Sequence, residues 1–184
     1  MNHFENNSDS IQTITEAISA LSEGERTDYA QIIKNINIPP NDYATFASWS
    51  KECYTRNCII DTEEFELILL CWEKDQVTPI HDHGGEECWV KAVQGEFKET
   101  IYQLNEKEEL EEVRSAISKT GDITYMVDFM GCHRLENLSN GRSMSLHFYA
   151  KPIRSCQLFD EKTKTFVRKD LEYNTISDLM VPTK

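Results

Sequence analysis

Basic residues are scarce in this 184-residue chain: 19 Lys and Arg stand against 32 Asp and Glu, for a formal charge of −13. Neutralising nucleic-acid phosphates takes clustered Lys and Arg, and here they are scattered, so no nucleic-acid partner is expected and the substrate is expected to be small. No run of apolar residues is long enough for a membrane span. The opening "MNHFENNSDS" lacks the basic start and apolar centre of a secretory signal, so a cytoplasmic location with no membrane contact is the expectation. The six cysteines, Cys53, Cys58, Cys71, Cys88, Cys132 and Cys156, show no CxxC spacing and read as free thiols of a reducing compartment. With 7 glycines and 5 prolines there is no low-complexity tract, which leaves an ordinary globular chain with a full core. Its length predicts a single domain over residues 1–184, and a monomer is expected.

The periodicity changes near residue 50. Over residues 1–50, Ile11, Ile14, Ile18 and Leu21 recur at helical spacing, as do Tyr29, Ile32, Ile33 and Ile36, with Thr27 or Asp28 available to cap the second helix. Pro39 and Pro40 end it, and "NDYATFASW" predicts one more helical turn with Tyr43 and Phe46 on one side. Over residues 51–184 short β-type runs follow: "YTRNCII", "FELILLCW", "CWVKAV", "EFKETIYQL", "DITYMV", "HRLENL", "SMSLHFYA" and "CQLFD". This spacing predicts a mainly β fold, a closed barrel or jelly roll preceded by a small N-terminal helical segment. The charged "NEKEELEEV" reads as a solvated loop or exposed turn.

Histidine is rarer still: there are 5, and two of them share the stretch "HDHGGEEC" with a cysteine. Two imidazoles on one side of a strand end can hold one metal ion, and Glu87, Cys88 and the distant His133 are candidates for a third ligand. A carboxylate would make the facial triad of a non-haem iron enzyme. A thiolate would favour zinc, and a third histidine would leave a neutral set with open positions. In "SMSLHFY" the period-two alternation puts Met144, Leu146 and Phe148 on one face and Ser145, His147 and Tyr149 on the other, so this strand is expected to line a polar cavity. His3, in the polar first residues, reads as a surface residue.

"HDHGGEECWVKAVQG" followed by "HRLEN" resembles the two motifs of the cupin barrels, with Cys88 standing where those motifs carry an acid. Together with "YTRN", "LCW", "GEFKET", "SLHFY" and "SCQLFD", the pattern over roughly residues 50 to 170 resembles the cysteine dioxygenases, iron enzymes that oxidise L-cysteine with O2 to cysteine sulfinic acid. The resemblance implies that His81, His83 and His133 bind Fe(2+), and that Arg56, assisted by Tyr54, takes the substrate carboxylate. It implies that Tyr149 faces the substrate, in a thioether cross-link to Cys88, and that Ser145 and His147 orient that tyrosine. Relatives acting on 3-mercaptopropionate usually have glutamine at the position of Arg56 and lack the cross-linking cysteine, so that substrate is the runner-up. A non-catalytic metal-binding cupin is the third reading.

Overall fold

The computed structural model describes residues 10–180, so His3 lies outside the described residues. Helix α1 (Ile14–Glu23) starts at Thr13, whose hydroxyl accepts from the Glu16 amide at 3.1 Å while the Glu16 carboxylate accepts from the Thr13 amide at 3.2 Å. This reciprocal cap satisfies two of the amides that a helix start leaves open. Ile11 falls before it and bridges Ile36 instead. Helix α2 (Tyr29–Asn35) has Asp28 at its N-cap, although the side chain makes no capping hydrogen bond there. Pro40–Tyr43 forms a single 3-10 turn that buries Tyr43, with Phe46 packed alongside.

All eight expected strands are present: β1 (Thr55–Asp61), β2 (Glu66–Trp72), β3 (Cys88–Gln94), β4 (Glu96–Leu104), β6 (Ile123–Met126), β7 (Cys132–Asn137), β8 (Ser143–Tyr149) and β9 (Ser155–Asp160). Three more complete the set: β5 (Leu110–Lys119), β10 (Thr165–Asp170) and β11 (Thr175–Ile176). The solvated-loop reading of "NEKEELEEV" is therefore corrected: only the turn around Glu106–Glu108 is loop, and β5 begins at Leu110 and pairs with β4 along its length. Nearly every residue of β5 is exposed, so its sequence carries no apolar alternation to betray the strand.

One sheet runs β11-β1-β2-β8-β3-β6, and opposite it lie the sheets β5-β4-β7 and β10-β9. The segment before His83 joins the last two, with Val77 bridging Glu136 and His81 bridging both His133 and Leu158. The large sheet is covered twice. Its outer face, including Leu67, Leu69, Leu146 and Phe148, packs against Ala17, Leu21 and Ile33 of the helices, while Ile68, Leu70, Trp72, Val90 and Ala92 look into the barrel with Phe97 and Leu135. Double coverage is why β2 and β8 are buried at every position; β2 reads as an almost unbroken apolar run, whereas β8 keeps polar residues on the face toward the barrel. Lys91, on the outer face of β3, is buried beneath α2, where its ammonium donates to the carbonyls of Ile33 (3.2 Å), Lys34 (3.3 Å) and Ile36. These carbonyls lie at the helix end, and they compensate a charge whose burial lowers its pKa. No helix among the described residues is long and apolar enough to cross a membrane.

Candidate metal centre and substrate cavity

His81 enters on the bridge between β7 and β9, and His83 follows it just before the chain turns back. That turn needs Gly84: its φ is +60°, and a Cβ there would stand 2.6 Å from the Ser155 carbonyl oxygen. His133 comes from β7, fifty residues on in sequence, and its backbone exchanges hydrogen bonds with His81 at 2.8 and 3.0 Å. One ligand atom from each imidazole lies within 4.8 Å of the others. Glu87 is elsewhere: its carboxylate accepts from Arg26 (2.8 Å) and Tyr125 (2.7 Å) at the surface, so it is not a third ligand.

Each ring's neighbours show how it is prepared. His133 donates from Nδ1 to the buried Glu99 carboxylate at 2.7 Å, and His81 donates from Nδ1 to the Pro79 carbonyl at 2.9 Å, which leaves the Nε2 lone pair of each free. Both ring nitrogens of His83 and Nε2 of His133 are buried without a protein partner. Burial, then the nearby His133, pushes His81 down to about 3 and His83 well below the ordinary imidazole value. Oriented imidazoles with buried orphan nitrogens fit a divalent metal ion: the donors are set out, and no described residue satisfies them.

On β8, Ser145 accepts from Trp72 Nε1 at 3.0 Å and lies 2.9 Å from His147 Nε2. The other ring nitrogen of His147, Nδ1, is buried without a partner among the described residues. Tyr149, next on that face, is opposite Cys88 in the β3–β8 register, and the thiol and phenol hydrogen-bond. They meet as cross-strand neighbours on adjacent strands, not across the pocket. Burial raises the pKa of both groups, so both carry their protons at neutral pH. The Tyr149 ring is 5.9 Å from that of His83.

A cavity of about 450 Å³ opens beside this cluster, bounded by His81, Tyr149, Tyr54 and Arg56 on one side and by Cys156 and Leu158 on the other. The Tyr54 ring stacks on Trp72 at 4.8 Å. Arg56 Nε and Nη2 are buried and have no acceptor. Burial opposes its charge, but Tyr149 and Glu66 outweigh that, and the guanidinium holds its proton more tightly than usual. A planar fork with two buried idle donors beside a cavity suits a carboxylate.

The model of the family described as cysteine dioxygenase type I matches residues 5–162. This chain belongs to the cysteine dioxygenase type I family. The human protein "Cysteine dioxygenase type 1" is 34% identical over 128 residues, covering 67% of this chain and 64% of that one. The zebrafish (Danio rerio) protein of the same description is 33% identical over 129 residues, with the same coverage of each chain. The aligned region thus spans less than two thirds of these curated relatives. Among solved structures, an uncharacterized conserved protein with a double-stranded beta-helix domain from Klebsiella pneumoniae subsp. pneumoniae superposes with a TM-score of 0.50 at 13% identity, over 70% of this chain and 88% of that one. That likeness speaks for the fold alone, a cupin-type barrel.

In this cysteine dioxygenase-family chain, the residues singled out from sequence come to one site, Glu87 excepted: the three histidines, Tyr54 and Arg56, Ser145, His147 and Tyr149, and Cys88 behind them. Sequence reasoning missed Glu99, the orienter of His133, and Trp72, the donor behind Ser145. It also passed over Glu66, fully buried on β2 where that strand pairs with Tyr149. Both acids carried a legible mark. Glu99 alternates with Phe97 and Ile101, and Glu66 with Ile68 and Leu70, so each sits on an apolar face where a bare carboxylate does not belong.

Proposed function

We propose that this protein is an iron-dependent L-cysteine dioxygenase, forming cysteine sulfinic acid from L-cysteine and O2. The observation that carries the reading is the pairing of orphan imidazole nitrogens with the orphan Arg56 donors in one buried site. His81, His83 and His133 would hold Fe(2+), which would supply the Lewis acidity to deprotonate a thiol and the redox couple through which the four electrons lost by the sulfur reach dioxygen.

The chain's own residues do the rest. Arg56 takes the substrate carboxylate in a two-point contact, which fixes the sulfur end toward the histidines, and the Tyr54–Trp72 stack walls that side. Glu99 holds the His133 ring in its ligating tautomer. Tyr149, protonated, offers its hydroxyl hydrogen to the substrate, and the Trp72–Ser145–His147 chain braces the strand it stands on. Apolar walls around Leu158 and Ile153 keep bulk water from the thiol. The register of Cys88 with Tyr149 supports the thioether: coupling sulfur to the ring removes the thiol hydrogen and one ring hydrogen, and the two electrons pass to dioxygen.

The test is oxygen uptake by ferrous-loaded protein, with the product followed by mass spectrometry. L-Cysteine should consume oxygen and gain two oxygen atoms. Cysteamine, which has no carboxylate for Arg56, should be turned over at least about tenfold less efficiently. Absence of the sulfinic acid, or equal use of cysteamine, defeats the reading.

A further inference from the structure

The wall of the cavity facing Arg56 comes from the C-terminal part of the chain, beyond the residues that the family model matches. Lys169, Leu171, Glu172 and Asn174 line it. This segment's first residues, Lys169 and Asp170, end β10 in register with Cys156 and Ser155 of β9, the Leu171 amide donates to the Arg154 carbonyl at 2.9 Å, and from Asn174 onward the chain is stitched to β1. Asn174 accepts from the Arg56 amide through its side chain (2.8 Å) and donates its own amide to the Arg56 carbonyl (2.7 Å). The Ser177 amide donates to the Cys58 carbonyl at 2.9 Å, and between them β11 pairs with β1.

At the centre of the segment Tyr173 reaches inward. Its hydroxyl lies between two carboxylates, that of Glu66, which is 0% exposed, and that of Asp61 (3.1 Å), and accepts from Arg154 Nη1 at 3.1 Å. Arg154 in turn holds Asp61 with two hydrogen bonds of 2.7 and 2.8 Å. The other Glu66 oxygen receives only the Ile153 amide, at 3.3 Å. Burial raises the Glu66 pKa, and the Tyr173 hydroxyl is the first group that works against it. A buried carboxylate with so few donors makes its tyrosine contact worth far more than a surface hydrogen bond.

We propose that Lys169–Asn174 is the substrate-selecting wall of the cavity, latched by Tyr173 on Glu66, and that these two are positioning residues for Arg56. The proposal rests on the reading of Arg56 as the carboxylate receptor. With the latch closed, the distance from Arg56 to the histidines is fixed and Leu171 caps the space between, which suits a thiol acid of cysteine's length. With the latch open, the wall swings out, Arg56 loses its backbone grip from Asn174, and a chain one methylene longer fits.

The experiment compares Tyr173→Phe, Glu66→Ala and Glu66→Gln with the unmodified protein in two assays. The first is trypsin cleavage at Arg168 or Lys169, which requires no activity. The second is steady-state kinetics with L-cysteine and L-homocysteine. Tyr173→Phe and Glu66→Ala should each be cleaved several-fold faster, raise KM for L-cysteine about tenfold with kcat within about twofold, and lose about tenfold of their discrimination against homocysteine. Glu66→Gln keeps an acceptor for the tyrosine, so it should retain trypsin resistance and the selectivity ratio. Unchanged cleavage and selectivity in Tyr173→Phe overturns the proposal. So does a Tyr173→Phe protein that loses metal, kcat and thermal stability together, which marks a general structural role. If the unmodified protein takes up no oxygen with L-cysteine, the functional reading fails instead, and the trypsin comparison still reports on the latch.

Discussion

Met144, Leu146 and Phe148 point from β8 toward the helices, whereas Ser145, His147 and Tyr149 point from the same strand into the barrel, and all of them are buried. On the outer face every side chain is apolar and touches others like it, Phe148 meeting Tyr29 edge-on at 4.8 Å and Trp89 at 5.6 Å. On the inner face the polar chain ends at a His147 Nδ1 with no partner, close to the equally orphaned nitrogens of the metal cluster. Equal burial therefore hides opposite energetics. The outer face gains transfer free energy with each carbon, while the inner face carries desolvated polar atoms that cost stability until a ligand meets them. A site of this kind has to be carried by a scaffold with stability to spare, and one strand does both.

The largest effect expected from breaking this contrast is on the inner face. His133→Ala should remove stoichiometric metal and abolish oxygen uptake, as read by elemental analysis and an oxygen electrode, and the metal-free protein should also lose about 1–3 kcal/mol of stability because the buried Glu99 carboxylate loses its Nδ1 donor. On the outer face the expectation reverses. Phe148→Ala should cost about 3–5 kcal/mol in chemical denaturation, yet the molecules that remain folded should keep their kcat. Glu99→Gln tests whether the orienting carboxylate belongs functionally to the inner face: metal affinity should fall about 10–100-fold in a competitive chelator titration, with a much smaller change in stability.

The smallest effect lies where the helical segment meets the barrel. Hydrogen bonding from Tyr125, with help from Arg26, lowers the Glu87 pKa below its ordinary value of 4.5. The folded state thus binds fewer protons here than the unfolded chain, and the stabilisation is present above pH 4.5 and lost as the pH falls through the lowered value. Glu87→Gln should flatten that acid limb of the stability curve by about 0.5–1 kcal/mol and leave neutral-pH activity unchanged.

The β8 alternation could be read directly from the sequence because its two faces differ in kind, and the eight inner or doubly covered strands could be read for the same reason. Strand β5 could not, since solvent on both faces removes any pressure toward alternation. HxH located the first two histidines, but periodicity alone left Glu87, Cys88 and His133 open as partners. Only a resemblance covering several motifs chose His133, and the β7 bridge to His81 gives the physical reason. Asn174 and Tyr173 left no trace: they sit in a short polar segment, and their partners Arg56 and Glu66 are 118 and 107 residues away. Contacts of that range are fixed by topology, which local pattern does not encode.

The Lys91 ammonium under α2 sets an order of events during synthesis. Helices α1 and α2 leave the ribosome before the strands, but the surface they need belongs to β2, β3 and β8, and β8 ends at Tyr149. At cellular elongation rates of about 5–20 residues per second, that gap lasts roughly ten seconds. Through that interval Leu21 and Ile33 have no sheet to cover them, and the last carbonyls of α2 have no cation to receive. The helical layer can therefore settle only after β8 is made and the barrel wall it covers exists.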